Sequence, residues 1–387
     1  MTKKIVPKLR FEFSSSWESK KLKDIIQISK EKYNPDSDKT NYKCIELEHL
    51  AQETGLLLGY TDSINQNSIK NKFHEDNILF GKLRPYLKKF YYTNFVGVCS
   101  SEIWVFDTNE YSKYIYYLIQ TKKFLDISNV SAGSKMPRSD WNFMKNFVFS
   151  IPDIKTQKEI ANLFSMIDNK IELLEKKYQQ YQNFKKYLMQ QIFTQKLRFN
   201  FSDEWEKYLL GDISSIGKGF TPSTSNPSFW DGDLKWLSIA DMNQGKYINQ
   251  TTKKITSDGS KNKEPVKKGT LLMSFKLSIG KLGILTENMY TNEAICNFKW
   301  KNKDVLTEYM YYYLSSINIL KYGSQAAKGI TLNNETLSTI PVLLPSLEEQ
   351  KKIINILSDV DLKISMLENS INDTSKFKKG LLQQMFA

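Results

Sequence analysis

The chain repeats itself, and this repeat limits what the chain can fold into. The triplet LRF at residues 9–11, followed by Trp17, is echoed at residues 197–199, followed by Trp205, at an offset of 188. Residues 152–157 (PDIKTQ) recur as residues 345–350 (PSLEEQ), and residues 188–193 (LMQQIF) recur as residues 381–386 (LLQQMF), at an offset of 193. A tandem duplication predicts two copies of one structural unit. With 387 residues in all, each copy is long enough to bury its own core.

Each copy carries an apolar stripe at alternating spacings of four and three residues, which is typical of a long helix packed along a coiled-coil seam. The first helix is predicted from about residue 155 to residue 195, which gives a length of about 60 Å. Each helix needs a partner for its stripe, so we expect the two to form an antiparallel coiled coil about a pseudo-two-fold axis. The predicted packing residues are Ile160, Phe164, Ile167, Ile171, Leu174, Ile353, Leu357, Val360, Ile364 and Leu367.

A lysine interrupts the stripe at the same place in both copies, at Lys185 and at Lys378. A polar residue in a coiled-coil seam commonly fixes the register of the helices at a cost in stability. The alternative is a lysine that extends its charged end to solvent near the end of a helix.

The two ends of the chain complete the repeat. The first helix is followed by residues 194–197, whereas the second ends at Phe386, and residues 7–9 supply the matching continuation. This predicts a circular arrangement. Joining the termini and opening the chain near residue 195 should therefore leave a folded, active protein, and loss of folding would count against the arrangement.

The globular parts mix short apolar runs with turn residues, so each is predicted to be an α/β (mixed α+β) domain. We expect strands at residues 96–106 and 271–275, and helices at residues 111–123 and 306–319. The predicted boundaries are a first domain at 1–150, a helical spacer at 151–196, a second domain at 197–344 and a second spacer at 345–387. The domains match less in residue identity than the helices do, which indicates two different recognition specificities.

The balance of charge favours a polyanionic partner. Lys and Arg number 55 against 42 Asp and Glu, a formal net charge of +13, so nucleic acid is the leading candidate. A lysine-rich genome is the competing explanation of the charge. Three scattered cysteines and two histidines argue against a disulfide framework and a zinc site. We expect a cytoplasmic protein, because the sequence has neither a signal peptide nor an apolar run of about 20 residues.

Basic and polar residues in expected loops suit contacts with phosphates, and some of them could reach base edges. For any one of these residues, the competing interpretation is an ordinary solvated loop side chain. The predicted DNA-binding residues are Lys82, Arg84, Lys88, Lys135, Arg138, Lys218, Thr221, Ser223, Lys276, Lys281, Lys328 and Asn333.

Motifs of catalysis are incomplete. Residues 226–229 (NPSF) partly match the Asn-Pro-Pro-aromatic motif of DNA amino-methyltransferases, but no dinucleotide-type glycine loop accompanies them. A nuclease site at Asp153, Glu175 and Lys177 is excluded, because Asp153 and Glu175 would lie about 30 Å apart along a helix. We predict that the chain is non-catalytic and binds no metal or cofactor itself.

Two motifs resemble the specificity subunit of type I restriction-modification systems. Residues 219–223 (GFTPS), followed by Phe229, Trp230, Gly232 and Trp236, are similar to the Gly-x-Thr-Pro, Tyr/Phe-Trp-x-Gly and Trp signature of that family. Residues 345–353 (PSLEEQKKI) are similar to its Pro-x-x-x-Glu-Gln-x-x-Ile pattern, although the first copy has Thr156 at the glutamate position. The first domain departs from the signature with residues 32–35 (KYNP), while residues 45–50 resemble the later segment.

The resemblance implies a protein that reads double-stranded DNA with two target recognition domains, one for each half of an asymmetric site. It implies helices that set the gap and dock two modification (methyltransferase) subunits, which restriction (motor-nuclease) subunits join. S-adenosylmethionine, ATP and Mg are then expected on those partner subunits. Deleting one heptad from both helices should change the gap but not the half-sites. The alternatives are a coiled-coil scaffold that binds proteins and a self-sufficient methyltransferase.

Overall fold

The computed structural model describes residues 8–9, 17–130, 136–276, 278–326 and 329–386, with the backbone alone for 324–326 and 329–331. The chain divides into two compact units. Unit 1 contains residues 1–176 and 369–387, and unit 2 contains residues 177–368. Each unit holds one globular head and one end of each of two long helices. We call residues 17–151 the first head and residues 205–344 the second head.

The first head is a mixed α/β domain. Its helices are α1 (Leu22–Ile25), α2 (Ser112–Leu118), α3 (Lys122–Ser128) and α4 (Trp141–Met144). Its strands are β1 (Glu18–Lys21), β2 (Gln27–Ile28), β3 (Lys32–Tyr33), β4 (Lys43–Ile45), β5 (Thr61–Asp62), β6 (Lys70–Phe73), β7 (Ile78–Gly81), β8 (Phe90–Tyr92), β9 (Gly97–Cys99), β10 (Ile103–Asp107) and β11 (Val148–Ile151).

The strands of the first head form three sheets. The main sheet has the order β2-β10-β7-β8, the second sheet has the order β3-β6-β9-β4-β5, and β1 pairs with β11. Strands β7 and β10 consist almost wholly of buried apolar residues, since both faces of the main sheet are covered. Helices α2 and α3 pack on it through a core that includes Phe80, Phe106 and Phe124.

The second head repeats this plan with changes. Its helices are α6 (Leu210–Ile213), α7 (Ser257–Ser260), α8 (Thr307–Ser316) and α9 (Asn334–Ser338). Its strands are β12 (Glu206–Leu209), β13 (Ser214–Lys218), β14 (Trp230–Leu237), β15 (Tyr247–Ile248), β16 (Lys253–Ile255), β17 (Leu271–Ser274), β18 (Leu282–Leu285), β19 (Tyr290–Thr291), β20 (Ile295–Trp300), β21 (Ser324–Ala326), β22 (Gly329–Thr331) and β23 (Pro341–Leu344).

The main sheet of the second head has the order β13-β20-β17-β18-β15, and β12 pairs with β23 as β1 does with β11. The second sheet differs more, with the order β16-β14-β19. Its parallel pairing of β14 with β19 corresponds to the parallel pairing of β4 with β9 in the first head. The heads therefore share the main sheet and the strand pair β1–β11 or β12–β23, which we call the frame together with the long helices. They differ in the second sheet.

The two predicted long helices are confirmed as α5 (Ile154–Phe193) and α10 (Leu347–Met385). In unit 1, Phe164 near the start of α5 shares a core with Leu381 and Met385 at the end of α10. In unit 2, Ile192 at the end of α5 shares a core with Ile353 and Leu357. The helices thus run antiparallel. All ten predicted packing residues are buried or half-buried.

The end of each long helix is hydrogen-bonded to the leucine of an LRF segment, Leu197 in unit 2 and Leu9 in unit 1. In unit 2, the amide of Leu197 donates a 3.1 Å hydrogen bond to the carbonyl of Gln191. In unit 1, the amide of Leu9 donates a 2.9 Å hydrogen bond to the carbonyl of Gln384. These residues are equivalent at the two offsets of the repeat, so Leu9 follows the end of the second helix as Leu197 follows the end of the first, as predicted.

Two predicted elements are divided. The expected strand at 96–106 is two strands, β9 and β10, which belong to different sheets. The expected helix at 111–123 is two helices, α2 and α3, because Thr121 caps the second by accepting a hydrogen bond from the amide of Phe124. The other expected helix is confirmed as α8. In the part of the chain that the structure describes, no helix is both long and apolar enough to cross a membrane.

Candidate nucleic-acid interface

The loop between β7 and β8, residues 82–89, presents the candidate Arg84. Arg84 and Lys88 adopt left-handed backbone conformations with φ of 52° and 50°, on either side of the short 3₁₀ helix Pro85–Leu87. Such φ values are uncommon for residues other than glycine and often mark functional loops. Arg84 is exposed, and its guanidinium has no hydrogen-bond or ion-pair partner among the described residues. It is therefore available to an anionic ligand.

Two other candidates in the first head are engaged by carboxylates. Lys88 lies 2.7 Å from Glu53, which also lies 2.9 Å from Lys379 at the end of α10. These two lysines hold the pKa of Glu53 at about 2, below its usual 4.5. Arg138 donates two hydrogen bonds, of 3.0 and 3.1 Å, to Glu102.

The backbone of Lys82 is hydrogen-bonded to the backbones of Glu102 and Ser139, next to the Arg138–Glu102 ion pair. Its amide donates a 3.0 Å hydrogen bond to the carbonyl of Glu102, and its carbonyl accepts one of 2.9 Å from Ser139. The amide of Arg84 donates to the carbonyl of Pro137 over 2.8 Å. The structure therefore brings the segments of Lys82, Arg84 and Arg138 together on one surface.

The equivalent loop of the second head, between β17 and β18, carries Lys276 and Lys281. Ser278 and Gly280 in this loop have φ of 50° and 90°. Lys276 is exposed, with its ammonium 5.9 Å from the ring centroid of Phe275. Lys281 is half-buried and donates a 2.8 Å hydrogen bond to the side chain of Asn243.

The remaining candidates are dispersed. Lys218 is exposed at the end of β13, without an ion-pair partner in the described ranges. Asn333 caps α9, because its side chain accepts a 2.8 Å hydrogen bond from the amide of Thr336. Lys135 and Lys328 lie outside the described residues.

The GFTPS segment of the second head is built tightly into the second sheet. A Cβ atom at Gly219 would lie 2.0 Å from the carbonyl oxygen of Thr291, so only glycine fits there. The hydroxyl of Thr221 donates a hydrogen bond to Glu293 and accepts one of 2.9 Å from Asn292. Several residues of the motif thus shape the loop by contacts within the protein.

Two tryptophans of the signature support the same loop. The indole of Trp236 donates a 2.9 Å hydrogen bond to the carbonyl of Phe220, and that of Trp230 donates a 3.1 Å hydrogen bond to the carbonyl of Ser223. Their rings pack edge to face at 5.1 Å. The exposed hydroxyl of Ser223 is within 2.8 Å of that of Ser225, so the loop ends in a polar, accessible turn.

Two lysines that the sequence prediction missed flank this turn. The ammonium of Lys263 lies 4.3 Å from the ring centroid of Phe220, and that of Lys253 lies 5.3 Å from that of Trp230. Both lysines are exposed, and neither has a carboxylate partner among the described residues. Cation–π contacts hold an ammonium in place without neutralising it. The signal in the sequence was the presence of both lysines within 33 residues of the aromatic signature.

The second sheet of the first head carries lysines on aromatic rings at other positions. The ammonium of Lys43 lies 4.7 Å from the ring centroid of Tyr60 and 5.0 Å from that of Phe95, and that of Lys72 lies 5.2 Å from that of Tyr42. In the segment that departs from the signature, Lys32 donates a 2.5 Å hydrogen bond to Asn71, and Tyr33 is buried. The KYNP segment is therefore part of the fold of this sheet.

The long helices also carry exposed apolar side chains at equivalent positions of the two copies. Leu173 is 65% exposed and Met366, its equivalent at the offset of 193, is 53% exposed. Phe184 is 48% exposed and its equivalent Phe377 is 60% exposed. Leu173 and Phe377 belong to unit 1, and Met366 and Phe184 belong to unit 2. Each unit thus presents the same aliphatic and aromatic pair outside its core.

The described residues show no group of three or more His, Cys, Asp or Glu side chains placed to hold a metal ion. Cys44, Cys99 and Cys296 are buried free thiols. Burial raises the pKa of Cys44 to about 11 and that of Cys296 to about 12, so neither is an activated nucleophile.

Comparison with known proteins agrees with the repeat. A sequence model of the family described as "Type I restriction modification DNA specificity domain" matches residues 14–183 and, a second time, residues 202–374. The two matches cover the two copies in turn.

Relatives are found at low identity. The specificity subunit of the type I restriction enzyme MjaIX from Methanocaldococcus jannaschii is 29% identical over 189 residues, covering 46% of this chain and 42% of that protein. A putative type I restriction enzyme MjaX specificity subunit from the same organism is 23% identical over 410 residues, covering 96% and 93%. The chain thus aligns with less than half of one relative and with nearly all of the other.

A solved structure has the same fold along the whole chain. It comes from work on the assembly and conformational transition of a type I restriction-modification system, and it superposes with a TM-score of 0.66 at 16% identity. The superposition covers 97% of each chain. At this identity the likeness establishes the fold alone.

Proposed function

Because the chain belongs to the family of type I restriction-modification DNA specificity domains, we propose that it is the DNA-recognition subunit of such a system. In this proposal each head reads one half of a bipartite, asymmetric target, and the chain is non-catalytic by itself. The observation that carries it is the pair of heads on one duplicated frame, with second sheets that differ in strand number and order. A repeated frame with unlike reading surfaces suits a split site with unlike halves.

In the second head, the proposed DNA contacts are the turn of Ser223 and the flanking Lys253 and Lys263. The lysines would bind phosphates and position the turn, whose hydroxyls can reach base edges. In the first head, Arg84 is the strongest candidate for a base contact, because a free guanidinium on a fixed loop can bind guanine with two hydrogen bonds.

The proposed contacts are tested by two double variants of the full chain with equal loss of charge. Lys253→Ala with Lys263→Ala should lower the slope of log affinity against log salt by about 2, since each phosphate contact contributes about 0.9. Lys207→Ala with Lys299→Ala removes two exposed lysines from β12 and β20 and should change the slope little. Equal effects of the two variants would contradict the assignment.

The duplicated apolar pairs on the helices support the docking of two copies of one partner, which we propose are the modification subunits. Restriction subunits would join that core. S-adenosylmethionine is then proposed to bind to the modification subunits. ATP and Mg are likewise proposed to bind to partner subunits and not to this chain. A surface that occurs once in each unit fits two identical partners better than two different ones.

The experiment that tests the function is a map of methylated adenines in DNA exposed to the chain reconstituted with its modification subunits. One asymmetric sequence, split by a gap of constant length, is expected at every methylated site. Methylation without a common sequence would overturn the proposal. It would also be overturned if the chain bound a protein selectively and showed no salt-dependent affinity for DNA.

A further inference from the structure

We infer that two equivalent clusters of tyrosine, aspartate and lysine hold each head at a fixed angle on the helix pair and so restrict the gap length that the protein accepts. We call Tyr117, Asp168 and Lys378 the first lock, and Tyr312, Asp361 and Lys185 the second lock. The inference rests on the proposed function and adds positioning residues to it.

The first lock joins three elements of unit 1. Tyr117 of α2 donates a 2.9 Å hydrogen bond to Oδ2 of Asp168 on α5. Lys378 of α10 lies 2.7 Å from Oδ1 of the same carboxylate. The ammonium is also 5.5 Å from the centroid of the Tyr117 ring. One carboxylate thus ties the head to both long helices.

The second lock repeats this geometry in unit 2. Tyr312 of α8 donates a 2.7 Å hydrogen bond to Oδ2 of Asp361 on α10, and Lys185 of α5 lies 2.5 Å from Oδ1. The ammonium is 5.4 Å from the centroid of the Tyr312 ring. The helices have exchanged roles, since the aspartate is now on α10 and the lysine on α5.

Further polar groups complete each lock. Ser165 lies 3.3 Å from the hydroxyl of Tyr117, and Ser358, its equivalent, lies 3.1 Å from that of Tyr312. In the second head, Lys246 adds hydrogen bonds of 3.2 Å to both Tyr312 and Ser358 and one of 2.6 Å to Glu308. Burial raises the pKa of both lock tyrosines, so their hydroxyls remain donors.

The lock lysines are the two residues that interrupt the apolar seam. Their side chains are 12% exposed in Lys378 and 24% exposed in Lys185. A lysine in such a seam is stable where a carboxylate meets it, and a slip of one heptad would move it about 10 Å along the helix. The lysine–aspartate pair therefore sets the register of the helices, and the tyrosine transmits that register to the head.

The test uses the full chain with its modification subunits and a pool of duplexes in which the two half-sites are separated by gaps of variable length. Tyr117→Phe with Tyr312→Phe removes two hydroxyls and leaves the rings and the lysine–aspartate pairs in place. We expect the affinity for gaps one base pair longer or shorter, relative to the native gap, to rise about tenfold, which corresponds to about 1.4 kcal/mol. The half-site sequences should not change.

Tyr187→Phe is the matched control, because Tyr187 is 58% exposed on α5 and belongs to neither lock. It should leave the gap profile unchanged. Asp168→Asn with Asp361→Asn weakens both arms of each lock and should broaden the profile further.

Two outcomes separate the lock from the proposed function. If the unmodified chain selects a split site and the phenylalanine variant has the same gap profile, or loses affinity equally at all gaps, the lock is refuted and the function stands. If the unmodified chain selects no split site at all, both are refuted.

Discussion

The ends of the long helices are built alike in the two units, whereas the second sheets of the heads are not. Gln157 and Gln350 are both fully buried near a helix start, and each accepts a hydrogen bond from a head amide, that of Tyr111 or that of Leu306. Each glutamine side chain also donates a 2.9 Å hydrogen bond to the carbonyl of the proline five residues before it. The second sheets, by contrast, have five strands in one head and three in the other. One shared frame therefore carries two unlike second sheets.

One position breaks the likeness of the helix starts. Glu349 is buried and accepts hydrogen bonds from Arg198, at 2.7 Å, and from the indole of Trp205, at 3.0 Å. In the first copy Thr156 takes its place, and the indole of Trp17 has no hydrogen-bond partner among the described residues. The second copy thus has a buried charged network that the first lacks at that position.

The largest expected effect follows from this network. Glu349→Thr should lower the free energy of unfolding by about 2 to 3 kcal/mol, because it removes the buried carboxylate to which both Arg198 and the Trp205 indole donate. Urea unfolding measures the change. Glu348→Thr, which alters the exposed neighbour in the same helical turn, should cost less than about 1 kcal/mol. Equal losses would show that the network contributes nothing specific.

The accessible aromatic residues of the helices should each matter for one partner. Phe184→Ser and Phe377→Ser are expected to weaken the binding of a modification subunit by about 2 kcal/mol each, as is common for aromatic anchors. Native mass spectrometry should show one bound subunit in either single variant and none in the double variant. Because both side chains are exposed, the melting temperature should not change. Two bound subunits in the double variant would remove this surface from the proposal.

A pair of glycine substitutions contrasts the GFTPS loop of the second head with the loop before β5 of the first head. Gly219→Ala should destabilise the GFTPS loop by about 1 to 3 kcal/mol, because the new methyl group would meet the carbonyl of Thr291. Gly59→Ala in the first head should have almost no effect, since no atom lies within 4 Å of the added Cβ. Hydrogen exchange of the amide of Phe220 and of its neighbours reports the loop. Faster exchange in Gly59→Ala but not in Gly219→Ala would contradict the tight packing at Gly219.

The smallest expected effect concerns Glu53, which ties the loop of Lys88 to α10 in unit 1. Its pKa of about 2 lies below the usual 4.5, so its contribution to stability is complete above pH 4.5 and is lost as the pH falls toward 2. Glu53→Gln should therefore lower the melting temperature slightly at pH 6 and not at pH 2. A difference between variant and parent that is independent of pH would contradict this link.

Much of the frame could be predicted from the sequence, because its pattern occurs twice, at an offset of 188 or 193. Each copy therefore supports the assignment made for the other. The long helices and the continuation of α10 into Leu9 are confirmed for this reason. The division of the predicted helix at Thr121 was missed, since a single capping threonine does not interrupt an apolar pattern.

The candidate interface was harder to predict. Nothing in the sequence shows that Lys88 meets Glu53 or that Arg138 meets Glu102, because these partners are 35 and 36 residues apart. Isolated backbone bridges between Gln52 and Lys89 and between Leu83 and Arg138 bring them together. Likewise, the signature of the second head appears in the sequence as a motif, but only the structure reveals that its tryptophans hold the turn between Lys253 and Lys263.

The proposed function assigns the sequence specificity to the heads and not to the shared frame. It is tested most directly by replacing residues 205–344 with residues 17–151, which span the equivalent strands from Trp17 to Ile151. The methylation map of the chain with two first heads, reconstituted with its modification subunits, should show one half-site of the original target in two inverted copies. A target that keeps its original second half would contradict the account.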